Sequence, residues 1–543
     1  MATAWWRDAV IYQVYPRSFA DANGDGIGDL AGIRAKLPYL AELGVDALWF
    51  TPWYASPLAD GGYDVADYRR IDPAFGTLAE AEALIAEAHR TGLRIIVDIV
   101  PNHVSDQHVW FQEALAAAPG SEARNLFWFR PGRGSGGELP PNNWTSEFGG
   151  PAWTRVPDPD GTPGEWYLHL FAAEQPDLNW NNPKVAEEHE SVLRFWFDRG
   201  VDGVRIDSAT MPAKDPELPD LDRRHPPTPH PYVDRDAVHA IYRGWRAVAD
   251  GYAEPRALIG EVWLDRPDRL AAYLRPDELH TAFNFDYLNC PWDAARLRAV
   301  IDRTLDSHRA VGAAATWVLS NHDVTRHATR YGRADTAMGR NPAQHRAPVD
   351  QALGTRRARA AILLNLALPG STYLYQGEEL GLPEVQDIPD AFRQDPIFFR
   401  THGADIGRDG CRVPLPWSGT APPFGFSPPN ATTAPWLPQP ARWSEYTPQA
   451  LGRDPDSIHS LYRTALRLRR ADADLHTDLF RWLSEPDGRT LHFRRGRSFH
   501  CLANLADEPM ALPEHSEVLL ASTPLGTRDP ALPPDTTVWL RTT

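Results

Sequence analysis

Eight short runs rich in β-branched and aromatic residues recur between Ala9 and Tyr375, each apolar on both faces, with helical patterns separating most of them. In order they are Ala9–Tyr15 (AVIYQVY), Ala47–Phe50 (ALWF), Arg94–Val100 (RIIVDIV), Gly203–Asp207 (GVRID), Leu258–Trp263 (LIGEVW), Thr281–Asp286 (TAFNFD), Thr316–Leu319 (TWVL) and Thr372–Tyr375 (TYLY). A strand that is apolar on both faces has to be covered on both, which a parallel sheet clothed in crossover helices achieves. The intervening stretches fit that role. Ala79–Arg90 is alanine-rich and periodic and ends at Gly92, and Pro183–Arg199 begins on proline and closes at Gly200. Eight strands alternating with helices predict an α/β fold of the (β/α)8 TIM-barrel type.

The uneven spacing predicts where the barrel is elaborated. A loop-rich stretch over 104–171, after the third run, is too long for one connection and implies an inserted subdomain. A proline-rich insertion, Met211–Pro231, follows the fourth run, and an excursion over 377–443 follows the eighth. All three leave from the C-terminal ends of strands, where barrel active sites are built. The barrel is therefore expected over 1–103 and 172–471. Short alternating runs over 472–543 (LHFRRG, SFHCLANL, EVLLAS, TTVWL) predict a C-terminal antiparallel β domain of sandwich type.

With 55 Lys and Arg against 72 Asp and Glu, the formal charge is −17, which repels phosphate backbones and argues against a nucleic-acid partner. Cys290, Cys411 and Cys501 lie far apart with no C-x-x-C spacing, the pattern of free thiols in a reducing compartment. The N-terminus lacks the profile of a signal peptide and no apolar run approaches the roughly 18 residues of a membrane span. The expectation is a cytoplasmic enzyme with no membrane partner, monomeric or homodimeric.

Polar residues close four of the strands. The third runs into Asp98-Ile-Val-Pro-Asn-His103, the fourth into Arg205-Ile-Asp207, the fifth ends at Glu261, and the seventh runs into Asn321-His-Asp323. Carboxylates are rarely buried for packing, because an unpaired one is strongly destabilising. Glycosidic bond cleavage fits three carboxylates, two histidines and an arginine with no metal or phosphate motif. It takes one carboxylate to attack or stabilise the anomeric carbon and one carboxylic acid to protonate the leaving oxygen. Arg205, two residues before Asp207, points to the same side of the strand and is placed to keep it ionised. Glu261 lies between apolar Ile259 and Val262-Trp263, a setting suited to an acid role.

The motifs DIVPNH (98–103), GVRID (203–207), GEVW (260–263) and SNHD (320–323) resemble, in order and position, the four signature regions of glycoside hydrolase family 13, the α-amylase family. The opening WWRDAVIYQVYPRSFADANGDGIGDL and the segment Gln175–Asn179 further resemble its oligo-1,6-glucosidase and α-glucosidase branch. The resemblance implies a nucleophile at Asp207, a general acid/base at Glu261 and a transition-state carboxylate at Asp323. It implies a glucose subsite of Asp64, His103, Arg205, His322 and Arg412, with aromatic walls at Tyr63, Phe148 and Phe171. Ser208, after the nucleophile, occupies a position that tracks linkage in relatives; small and polar, it leans toward α-1,4 substrates such as maltose. The implied activity is exo-acting retaining α-glucosidase, with trehalose synthase or sucrose- or isomaltose-type glucosyl transfer as the alternative. A transporter-associated, non-catalytic subunit with this fold is the non-enzyme alternative; it would have an anchor and lack the carboxylates, a pattern that argues against it here.

Asp21-Ala-Asn-Gly-Asp-Gly-Ile-Gly-Asp29 places oxygen side chains at alternate positions, like the first nine positions of an EF-hand loop, but position twelve is Gly32 rather than glutamate. The branch resemblance implies a single structural Ca²⁺ here, held by Asp21, Asn23, Asp25, Asp29 and the Ile27 carbonyl.

Overall fold

Both faces of each predicted strand are indeed buried, and they feed two different cores. The computed structural model describes residues 4–158, 161–338, 342–486, 488–526 and 531–542. Its central sheet holds β1 (Val10–Val14), β2 (Ala47–Phe50), β3 (Arg94–Ile99), β4 (Gly203–Ile206), β5 (Ala257–Gly260), β6 (Thr281–Ala282), β7 (Thr316–Val318) and β8 (Ser371–Tyr375). All pairings are parallel, in the order β6-β5-β4-β3-β2-β1-β8-β7. Ile11, Trp49, Ile96, Ile259, Val318 and Tyr373 fill the barrel interior. The alternate residues, among them Tyr12, Leu48, Val97, Val204, Leu258 and Trp317, pack outward under the helices.

β6 is shorter than the run Thr281–Asp286 suggests. Asn284 accepts from the Tyr287 N–H and caps a short helix, Phe285–Asn289, so the chain leaves the sheet after two residues. The β6–β7 seam is joined by the Thr316 hydroxyl, which donates to the Ala282 carbonyl at 2.5 Å. The two helices singled out in the sequence span Leu78–Arg90 and Pro183–Phe197. The first opens on a capping box between Thr77 and Glu80, the second on Asn182.

The inserts stand together over the C-terminal ends of the strands. The first contains a helix, Val109–Ala116, and a three-stranded antiparallel sheet of Phe129–Arg130, Pro163–Leu168 and Trp153–Pro157. Its tryptophans Trp128, Trp144 and Trp153 share a core with Leu218, Leu221 and Tyr232, so it and the insert after β4 form one wall. Arg400, from the insert after β8, donates to the Gly149 carbonyl at 2.8 Å and ties the third insert to the first. At the C-terminus a five-stranded antiparallel sheet lies against the barrel, with a two-stranded ribbon packed through Leu502, Leu532, Val538 and Leu540. Cys290, Cys411 and Cys501 are free and buried. Among the described residues no helix is long and apolar enough to cross a membrane.

Candidate active site

Arg205, 2 % exposed, organises the floor of the barrel mouth. Its Nη1 donates to Asp98 Oδ1 at 2.9 Å and to Asp207 Oδ1 at 2.7 Å, while Nη2 lies 2.6 Å from Glu261 Oε2. Three carboxylates thus surround one guanidinium. Burial and the facing Glu261 push Asp207 up, and Arg205 pulls against them, so the expected partner of Asp207 is in place but is divided among three acids. Asp98, fully buried, is pushed up to about 7 by burial against the pull of Arg205.

Glu261 does not sit in the apolar setting its neighbours suggest. Oε2 accepts from the Ser208 N–H at 2.9 Å and Oε1 from the Trp263 indole at 2.8 Å. The side chains of Ile259 and Val262 turn into the packed interior instead. Ser208 is left-handed, with φ of 44°, and this strained turn after β4 is what aims its N–H at Glu261. Asp207 is anchored by its own N–H, which donates to the Ile99 carbonyl at 2.8 Å.

Asp323 lies at the end of β7. Its Oδ1 accepts from Arg408 Nη1 at 3.0 Å and Arg412 Nη2 at 2.9 Å, and Oδ2 is 3.2 Å from His322 Nε2. Burial alone would raise this carboxyl; His322, Arg408 and Arg412 outweigh it and hold it well below the usual carboxylate range. His322 is kept neutral by burial and clamped by a near-parallel stack on Tyr63, ring centroids 5.3 Å apart, while Gln13 reaches its Nδ1 at 2.6 Å. Tyr63 in turn donates to Asp98 Oδ2 at 3.0 Å. Phe148 and Phe171 meet edge to face at 5.6 Å, Phe171 lies beside His103 at 5.0 Å, and the Arg408 guanidinium lies 5.2 Å from the Phe148 ring centroid.

Asp64 is the one expected sugar contact that the structure turns away. It is wholly buried, and its two oxygens accept from the N–H groups of Ala59 and Asp60 at 2.9 and 3.0 Å, closing a turn. Asp60 takes the place facing the site: its Oδ1 accepts from Arg408 Nη2 at 2.7 Å. Arg408 also grips Asp395 through Nε and Nη2, at 2.7 and 3.0 Å, which makes it the hub joining Asp60, Asp323 and Asp395.

Over these residues opens a cavity of about 800 Å³, lined by Ser208, Glu261, Trp263, Asp323, Phe171 and Arg408 among others. That volume suits a small ligand. A family model described as "Alpha amylase, catalytic domain" matches residues 13–478. The chain belongs to the α-amylase family.

This α-amylase-family protein is a glycoside hydrolase, of the oligo-1,6-glucosidase and α-glucosidase branch. A second family model, a domain of unknown function, matches residues 479–539, the C-terminal sheet. The chain is 39% identical to the probable alpha-glucosidase of Rhizobium meliloti (strain 1021), covering 93% of this chain and 90% of that one. It is 35% identical to an oligo-1,6-glucosidase of Parageobacillus thermoglucosidasius, covering 87% and 84% respectively. A crystal structure of the alpha-glucosyl transfer enzyme XgtA superposes with a TM-score of 0.85 at 34% identity over the full length of both chains.

Several residues of this hydrolase's site lie outside the sequence-derived set: Asp98, Asp60, Arg408, Gln13 and Trp263. Trp263 is 39% exposed, stacks one face on Phe285 with centroids 3.5 Å apart, and leaves the other toward the cavity beside Glu261. Asp98 lay within a quoted motif, and its strand parity with Ile96 would have pointed it inward.

The Asp21–Asp29 loop is folded on its own backbone. Asp21 accepts from the N–H groups of Gly24 and Gly26 at 2.6 and 2.9 Å, Asp25 from that of Ile27 at 2.9 Å, and Asp29 from those of Ala22 and Gly32 at 3.0 and 2.6 Å. Asn23 accepts from the Asp25 N–H at 2.8 Å. Among the described residues no three His, Cys, Asp or Glu side chains converge closely enough to hold a metal ion.

Proposed function

We propose that this glycoside hydrolase is a retaining, exo-acting α-glucosidase, releasing α-glucose from the non-reducing end of short α-glucosides, α-1,4-linked ones such as maltose. Asp207 attacks the anomeric carbon as the bond to the leaving oxygen breaks, and Glu261 delivers a proton to that oxygen. Glu261 then takes a proton from water, which attacks the same carbon and frees Asp207. Two inversions give net retention.

The observation that carries this reading is the grip of Asp207 and Glu261 on the two terminal nitrogens of one guanidinium. A shared guanidinium supports the close spacing of a retaining pair, roughly 5 Å, over the wider spacing that admits the water of an inverting one. Exo action is supported by the ion pairs of Arg408 with Asp60, Asp323 and Asp395, which tie the insert after β8 to the loop after β2 beside Asp323. Glucosyl transfer to a second sugar is the other reading, favoured by the open face of Trp263 next to the acid/base.

The test is product analysis on maltose, isomaltose, sucrose and trehalose, recording the first anomer released. α-Glucose from maltose is expected, and β-glucose would overturn the mechanism. Asp207→Asn should lower turnover by more than about a thousandfold with the fold intact, the scale seen when one member of a catalytic unit is lost. Near-normal turnover would remove Asp207 from the nucleophile role.

A further inference from the structure

Lys214 enters the molecule's interior from the proline-rich insert after β4, and none of its side chain is exposed. Its Nζ lies 2.8 Å from Asp177 Oδ2, equally buried, and donates to Asn102 Oδ1 at 2.5 Å. An ammonium offers only protons, so Asn102 has to turn its carbonyl oxygen toward it. The amide nitrogen then faces His103 Nδ1 at 3.1 Å. The amide nitrogen donates and Nδ1 accepts, which leaves the single proton of a neutral imidazole on Nε2.

The other edge of the ring agrees. His103 Nε2 is 3.2 Å from the Tyr63 carbonyl oxygen, which can only accept. Gln175 Nε2 also lies 3.0 Å from that nitrogen; one of its two N–H bonds goes to Asp60 Oδ2 at 3.2 Å, and Gln175 Oε1 accepts from the Ala172 N–H at 2.9 Å, so its second N–H competes for His103 Nε2. Each ring nitrogen thus faces an amide donor, and the proton belongs on Nε2 because only there does a carbonyl, that of Tyr63, also wait to accept it. Burial, helped by Lys214, pushes His103 down to about 3, so the ring is neutral at any working pH and its tautomer is the variable that matters.

We propose that Lys214 is a positioning residue for the sugar pocket: through Asn102 it locks His103 in the Nε2–H form, on the ring edge that faces Gln175 and Asp60. A sugar hydroxyl on that side then meets a ring whose one N–H is fixed on Nε2 and would be shared with the Tyr63 carbonyl. The role in binding rests on the α-glucosidase reading, whereas the tautomer itself does not.

A plain buried ion pair with Asp177 is the competing account, and three variants separate the two. Lys214→Met alone would strand Asp177 as an unpaired buried carboxylate, so the charge-free pair K214M/D177L is used instead. Asn102→Leu removes the relay and leaves the ion pair. Asp177→Asn removes the carboxylate and leaves Lys214 on Asn102; it is read toward pH 5, where the unpaired buried ammonium keeps its proton. Each free enzyme, labelled with ¹⁵N-histidine, is observed by NMR, with His103 assigned by difference against His103→Gln, and KM and kcat are measured on maltose.

The expected result is a protonated Nε2 and bare Nδ1 in the wild type and in D177N. K214M/D177L and N102L should show mixed tautomers, with KM raised about tenfold and kcat changed less. An Nδ1–H ring in the wild type would overturn the proposal, as would an unchanged His103 in K214M/D177L. So would a mixed tautomer with unchanged KM, or a KM loss in D177N equal to that of the double variant. If the wild type does not turn over maltose, the α-glucosidase reading fails while the NMR result still decides the tautomer.

Discussion

Glu261 is held by donors, and that shapes what its removal should do. Ser208 N–H, Trp263 Nε1 and Arg205 all point at its two oxygens. Glu261→Gln keeps the shape but cannot deliver the proton, so kcat on maltose should fall by about 10²–10⁴. An aryl α-glucoside with a good leaving group needs little protonation and should fall far less. Equal losses on both substrates would take the acid role away from Glu261. Residues like Glu261, Asp207 and Asp323 were legible because strands have a period: an acid that ends an otherwise buried run has only the barrel mouth to face. Asp60 and Arg408 were not legible on that ground. They sit in loops, which have no period, and two aspartates four apart in Asp60-Gly-Gly-Tyr-Asp64 look alike until the turn shows which one caps it.

At the scale of elements, six of the eight strand runs are recognisable nearly to their ends, because the two-sided burial that identifies them is also what holds them; the fifth strand stops at Gly260, three residues before its run does. The sixth breaks early because Asn284 serves a local helix, a competition that composition does not reveal. Past the end of β8, Glu378 accepts from the Tyr375 N–H at 3.1 Å and burial pushes it from 4.5 to about 8. Between those values the folded protein holds a proton that the unfolded chain has released, so this contribution to stability is full below about 4.5 and lost as pH rises toward 8. Wild type should therefore lose ground to Glu378→Gln across that window, read as urea midpoints at several pH values. A difference independent of pH would show that Glu378 stays ionised. For the Asp21–Asp29 loop we propose the structural Ca²⁺ that the branch resemblance implies, held by Asp21, Asn23, Asp25, Asp29 and the Ile27 carbonyl. The oxygens of Asp21 and Asp29 accept N–H bonds but keep lone pairs, and cation binding would draw Asp25 and the Ile27 carbonyl onto them. Calcium should then raise the melting temperature and EDTA lower it. Identical melting in both would leave the loop a self-closed turn.

Across the whole molecule, the C-terminal sheet reads in sequence as a separate module, yet only the face under its two-stranded ribbon has a core of its own, and the other face shares the barrel's. Leu491, Phe493, Phe499, Cys501 and Trp539 belong to the same buried cluster as the outward faces of the barrel strands. The indole of Trp539 donates to the Leu363 carbonyl at 3.0 Å, in the long helix Gln351–Ala367 that precedes β8. Arg357 pairs with Asp535 at 2.9 Å and Arg495 donates to the Ala367 carbonyl at 2.7 Å, so the sheet also satisfies polar groups along and at the end of that helix. The helix leads into β8, and β8 leads into the insert that supplies Arg408 and Arg412. Loss of the sheet would expose a helix buried along most of its length, from Ala358 to Ala367. Calorimetry should therefore show barrel and sheet melting in one transition. Trp539→Ala, lying some distance from the sugar site, should cost about 3–5 kcal/mol and lower the temperature at which activity disappears, with KM at low temperature preserved. Two separate transitions, or a sheet that melts while turnover persists, would show that the C-terminal domain is an independent appendage.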